Sequence, residues 1–130
     1  MTRVAVIGVG AMGQHHARVY NDLDSAELVA VVDVNPAHAE TVGRRFKVPA
    51  YADFEAMISH ERPGALSVVV PTAHHYAVGR AVLERGIHVL IEKPITATAM
   101  QAEDLVHFAA ERDLCLAVGH VERFNPAVVS

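Results

Sequence analysis

The chain is 130 residues long, with 11 Lys+Arg against 15 Asp+Glu and a formal charge of −4, which is one domain's worth of polypeptide. Its 52% apolar and 20% charged residues supply a filled core and exclude a disordered chain. A mildly acidic chain without Trp or Lys/Arg clusters offers no electrostatic footprint for nucleic acid or an anionic membrane surface, and its longest apolar stretches, Val4 to Met12 and Leu28 to Val32, are too short to span a bilayer.

In chain order, the first expected strand is Arg3 to Gly8, followed by a glycine-rich turn and a helix running through Ala17, Val19 and Tyr20. A second strand, Leu28 to Asp33, is apolar on consecutive positions, as in a parallel strand covered on both faces. A helical stripe of Ala39, Val42 and Phe46 comes next, then a weaker strand near Ala50 and Tyr51 and a third strong strand at Leu66 to Val70. Ala77/Val78, Ala81 and Val82 form another stripe, closed near Gly86, where a C-cap glycine belongs. The strand His88 to Glu92 runs into Pro94. Thr98 and Gln101 have capping-box spacing ahead of the stripe Ala102, Leu105/Val106 and Ala109. The last strand is Cys115 to Gly119. Strand and helix alternating with short connections predict an α/β fold: one doubly wound parallel sheet of the Rossmann type.

Gly8-Val9-Gly10-Ala11-Met12-Gly13 follows the first strand directly and opens a helix. Gly8 suits the tight turn, Gly10 lets the backbone approach a pyrophosphate, and Gly13 lets helix and strand lie close. The helix-start N–H groups of Ala11, Met12 and Gly13 then face the phosphates. Asp33 ends the second strand twenty residues after Gly13, where its carboxylate can accept from the adenosine ribose hydroxyls. That carboxylate would repel a 2′-phosphate, and Val34 and Asn35 bring no cation. The expected cofactor is NAD, with NADP open as an alternative. Arg44 or Arg45 either reaches back to the ribose or forms a solvated helix face.

Other chemistry is thinly represented. Cys115 is the single cysteine and lies between two leucines, which points to a buried inert thiol rather than a nucleophile. No two of the nine histidines have metal-ligand spacing on a helix, so no metal site is expected. Lacking a signal-peptide pattern at its start, the chain reads as cytoplasmic.

Glu92-Lys93-Pro94, preceded by Gly86-Ile87-His88-Val89-Leu90-Ile91, resembles the Glu-Lys-Pro signature of the Gfo/Idh/MocA oxidoreductases. The likeness runs along the whole chain: the glycine turn, Asp33, Pro71-Thr72-Ala73-His74-His75, and Gly119-His120-Val121-Glu122-Arg123-Phe124-Asn125-Pro126. The last run is similar to that of members acting on nucleotide-linked amino sugars such as UDP-N-acetylglucosamine, or on inositol. The resemblance implies that Lys93 stands beside the nicotinamide and the reacting carbinol, with Glu92 next to it. A cation there would stabilise negative charge on the substrate oxygen and help relay its proton.

The resemblance also implies that Pro71, Thr72 and His75 line the nicotinamide side of the cleft, although Thr72 replaces the family's usual asparagine. His74 and His75 begin a helix, which favours neutral rings. Arg123 and Asn125 are expected substrate contacts. Family members continue into an α+β substrate domain that supplies a histidine base and the usual oligomer contact. Residues 1–120 would then be the dinucleotide-binding domain and 121–130 the start of the crossing into a second one absent from this chain. The expected activity is hydride transfer between a sugar, cyclitol or nucleotide-sugar carbinol and the nicotinamide, with the isolated chain inactive. The alternatives are a non-catalytic NAD(H)-sensing module and a two-domain reductase of another kind.

Overall fold

A computed structural model describes residues 1–119. Six strands form one parallel sheet: β1 (Thr2–Ile7), β2 (Ala26–Val32), β3 (Ala50–Tyr51), β4 (Ala65–Val68), β5 (His88–Ile91) and β6 (Leu116–Val118). They lie in the order β3-β2-β1-β4-β5-β6. The chain leaves β1 toward β2 on one side and later returns to place β4 on the other. The crevice above β1 and β4 is therefore the switch point at which open α/β sheets bind ligands.

Five helices cover the sheet: α1 (Ala11–Asp22), α2 (Pro36–Phe46), α3 (Phe54–Glu61), α4 (His75–Glu84) and α5 (Ala99–Glu111). Consecutive residues of each strand turn to opposite faces, so a strand apolar at every position fills both layers. Val4 and Val6 pack with Ala17, Tyr20 and Val42 of α1 and α2. Ala5 and Ile7 pack with Met57, Val82 and Leu105 of α3, α4 and α5. A register shift between Val4 and Ala5 lets β1 pair with both Leu28 and Ala30 of β2.

The five strong strands and the weak one all form. The helix α3 lies outside the expected elements. It has only eight residues, opened by the Asp53 carboxylate accepting from the Glu55 N–H and ended by Arg62 in the left-handed region at φ 48°. In so short a helix Met57 and Ile58 are the buried positions, too few to register as a periodic stripe. Elsewhere the terminators act as read: Gly86 sits at φ 76°, and Thr98 Oγ1 accepts from the Gln101 N–H at 3.2 Å. Among the described residues no helix is long and apolar enough to cross a membrane.

Candidate dinucleotide site

The glycine turn is built by close approach. Gly8 has φ 92°, and a Cβ there would run into the Val69 carbonyl; a Cβ on Gly13 would run into the carbonyl of Gly8. Gly13 is required by the close approach of α1 to the turn, and Gly8 by its positive φ and the close pass of the segment after β4. Gly10 differs: its φ of −68° is open to any residue, and a Cβ would meet no protein atom within 4 Å. Nothing in the fold asks for glycine at that position. It borders a cleft of about 670 Å³, so the space its missing side chain leaves is space for a ligand's backbone approach.

The same cleft is lined by Gly8, Asp33, Val34 and Pro71, bringing together the ends of β1, β2 and β4. Its apolar wall, Phe54, Val69, Val70, Ala77 and Val78, was not among the expected residues. Those positions belong to three separate segments, and only the sheet order makes them neighbours. Ala11 and Met12 are exposed at the start of α1. Gly10, the N-cap, gives that helix no side-chain cap, and its first internal bond is Gln14 N–H to the Gly10 carbonyl at 2.9 Å. The N–H groups of Ala11, Met12 and Gly13 therefore lack intrahelical acceptors, and the positive end of the helix points at the cleft.

Asp33 is held in place by two backbone donors. The Val9 N–H donates to Oδ2 at 3.1 Å and the Asn35 N–H to Oδ1 at 3.0 Å. A carboxylate accepts about four hydrogen bonds, which leaves capacity for a diol. The Val9 carbonyl accepts from Gln14 Nε2 at 3.1 Å and from His38 Nε2 at 2.6 Å, so His38 carries its proton on Nε2. Gln14 and His38 thus fix the turn from two helices. Neither was legible in sequence: His38 bonds a carbonyl 29 residues away, and Gln14 reaches one five residues back only because of how the turn meets α1.

The arginines of α2 turn elsewhere. Arg44 pairs with Glu40 at 3.4 Å. Arg45 donates to Gln14 Oε1 at 3.0 Å and lies over the Phe46 ring. Both have partners other than Asp33.

Lys93 is exposed at the C-terminal edge of the sheet just after β5, and its bond to Pro94 is cis. Glu92 turns inward, with Oε1 2.7 Å from Nε2 of the fully buried His16. Thr72 opens a 3-10 turn, Thr72–His74, ahead of α4. His75 is 2% exposed, and its ring nitrogens lie 2.8 Å from the carbonyl oxygens of Val70 and Pro94. The ring is engaged with backbone, and His74 is the histidine that lines the cleft. A neutral imidazole carries one N–H, so the neutral ring expected for His75 can satisfy only one of these carbonyls. Arg123 and Asn125 lie outside the described residues.

Cys115 is half-buried rather than fully enclosed, and burial pushes its thiol above the ordinary value, which suits an inert side chain.

The family model described as "Oxidoreductase family, NAD-binding Rossmann fold" matches residues 2–120. The chain belongs to the Gfo/Idh/MocA oxidoreductase family. Within it, the chain is 37% identical to a UDP-N-acetylglucosamine 3-dehydrogenase of Acidithiobacillus ferrooxidans over 97% of its own length and 39% of that relative's. The crystal structure of that enzyme superposes with a TM-score of 0.86, covering 98% of this chain and 41% of that one. A Lactobacillus casei scyllo-inositol dehydrogenase, solved with NAD(H) and scyllo-inositol, is 26% identical and superposes at 0.86, over 96% of this chain and 38% of that one. The Gfo/Idh/MocA chain thus spans about two fifths of the length of these relatives, and what it carries is the NAD-binding Rossmann domain.

Proposed function

We propose that this domain binds NAD for a dehydrogenase that moves a hydride between the cofactor and a carbinol of a sugar, cyclitol or nucleotide sugar. The observation that carries the reading is Lys93, exposed at the same sheet edge as the glycine turn. When bound, NAD supplies the hydride acceptor.

The chain's own residues do the rest. Gly10 leaves room for the pyrophosphate, and the N–H groups of Ala11, Met12 and Gly13 face its charge. Asp33 accepts from the ribose hydroxyls and, with Val34 beside it, disfavours a 2′-phosphate. Pro71 and Thr72 border the nicotinamide side. Lys93 places its ammonium group against the substrate oxygen, where it stabilises developing negative charge and can hold the hydroxyl proton. Arg123 and Asn125 are assigned to the substrate. The likeness to a UDP-N-acetylglucosamine 3-dehydrogenase favours a nucleotide-linked amino sugar within this class.

Calorimetric titration with NADH and NADPH tests the cofactor half. The chain should bind NADH in preference, and Asp33→Ala should weaken NADH at least tenfold while narrowing the preference; equal loss for both cofactors would remove the ribose assignment. For the chemistry, the intact protein is incubated with NAD and, in turn, UDP-N-acetylglucosamine, a glucoside and scyllo-inositol. NADH should appear with one of them and vanish in Lys93→Ala. Turnover that survives Lys93→Ala would overturn the role of the lysine.

A further inference from the structure

We infer that two buried histidines aim Lys93: His16 by holding the Glu92 carboxylate, and His75 by holding the Pro94 carbonyl. The inference rests on the reading of Lys93 as the group that meets the reacting oxygen, and it concerns how an exposed lysine in a turn is kept in place. Displacement of a reacting group by about 1 Å can cost two orders of magnitude in rate. A turn after a strand has no ladder to fix it beyond the last paired residue, here Ile91 opposite Val118.

The grip on Glu92 comes from a buried polar chain on the α1 face of the sheet. His16 Nδ1 is 2.9 Å from Ser67 Oγ, and Ser67 Oγ is 2.6 Å from the Tyr20 hydroxyl. Tyr20, Ser67 and His16 are all fully buried, and burial drives the Tyr20 hydroxyl far toward its protonated form. One set of protons then satisfies all three contacts. The Tyr20 O–H donates to Ser67, the Ser67 O–H donates to Nδ1, and the Nε2–H of a neutral ring donates to the Glu92 carboxylate. Each buried polar atom in this chain depends on the next, and leaving one unpaired costs about 1–3 kcal/mol. The His16 ring is thereby fixed in orientation, with Nε2 turned to the residue preceding Lys93.

The second grip comes from the opposite face. His75 opens α4, and its ring stands between the carbonyls of Val70, just after β4, and Pro94, just after Lys93, with the Nδ1–H of a neutral ring donating to Pro94. Lys93 is therefore bracketed in sequence by two tethers, one from each layer of helices. Both lead to parts of the fold that form the switch-point crevice. Neither histidine lines the cleft itself, so each acts through its neighbour as a positioning residue.

Backbone 15N relaxation on the 130-residue chain tests this without substrate or cofactor. In His16→Leu the order parameter at Lys93 should fall from a rigid value of about 0.85 to below about 0.6, with Leu90 inside β5 unchanged. His16→Gln, whose amide can donate to Glu92, should restore Lys93. His75→Leu should loosen Ile95 in the same local way. If His16→Leu fails to fold, Glu92→Ala breaks the same contact from the partly exposed side and should give the same loss at Lys93. In the intact protein with its oxidisable sugar, His16→Leu should lower kcat at least tenfold with KM for NAD within twofold. An unmoved Lys93 amide, or equal loosening of Lys93 and Leu90, would overturn the inference by leaving the histidines a general structural role. Failure of the dehydrogenase reading would appear instead as absent turnover in the unsubstituted protein, with the relaxation data unaffected.

Discussion

Helices α1 and α5 start at the same edge of the sheet and end their first turns differently. Thr98 caps α5 with its side chain, as Asn35 caps α2 and Asp53 caps α3. Gly10 leaves α1 with no side-chain cap and no acidic residue in its first turn. Thr98, Asn35 and Asp53 supply acceptors for the orphan N–H groups of their helices, Asp53 even where it borders the crevice. At α1 the chain omits both the acceptor and the Cβ, whereas α4, also without a side-chain cap, keeps the His74 side chain at that position. The difference sets Gly10 apart as the helix start that leaves room for a ligand.

The comparison can be broken most forcefully at Gly13. Gly13→Ala drives a Cβ into the Gly8 carbonyl and should cost about 3 kcal/mol or more, read as a drop in Tm of about 10 °C. A variant melting within about 2 °C of the parent would mean that α1 can withdraw from β1 freely. Gly10→Val sharpens the contrast three residues earlier. Its side chain enters open space, so the melting curve should barely move while NADH affinity falls at least tenfold, about 1.4 kcal/mol. Unchanged affinity would return Gly10 to the structural class. Thr98→Ala is the converse at α5, losing about 1 kcal/mol of stability with NADH affinity intact, checked by denaturant titration alongside calorimetry. The smallest effect expected is at Cys115. Its raised pKa leaves less thiolate than a free cysteine near neutral pH, so iodoacetamide should alkylate it several-fold more slowly, and alkylation at the free-thiol rate would contradict its partial burial.

Much of this division was legible in advance, for local reasons. β-branched runs such as Leu28 to Val32 mark strands covered on both faces, and a glycine pattern between such a strand and a helix with Asp33 at the next strand end is a chain-local signature. The Thr98 cap is a three-residue spacing and was read correctly. The adjacent histidine pairs were not so readable. His16 is buried and bonded to Glu92, 76 residues away, whereas His15 is half-exposed beside Arg18. His75 is buried between two carbonyls while His74 lines the cleft. Adjacent helical residues differ by about 100° in direction, and which one faces the sheet depends on how the helix is set down.

The sequence by itself determined the elements, their alternation, the glycine turn and the acid that follows it, because each depends on backbone preference and periodicity within a few residues. It also carried the resemblance that names Lys93. Tertiary structure alone decided that the ends of β1, β2 and β4 close one cleft, that His38 and Gln14 share the Val9 carbonyl, and that Tyr20, Ser67, His16 and Glu92 form one buried chain. Those contacts join residues 29 to 76 positions apart or, for Gln14, depend on the rotation of a helix on its sheet. Hydrogen bonding over such separations is set by packing, on which the spacing of residues along the chain has no hold.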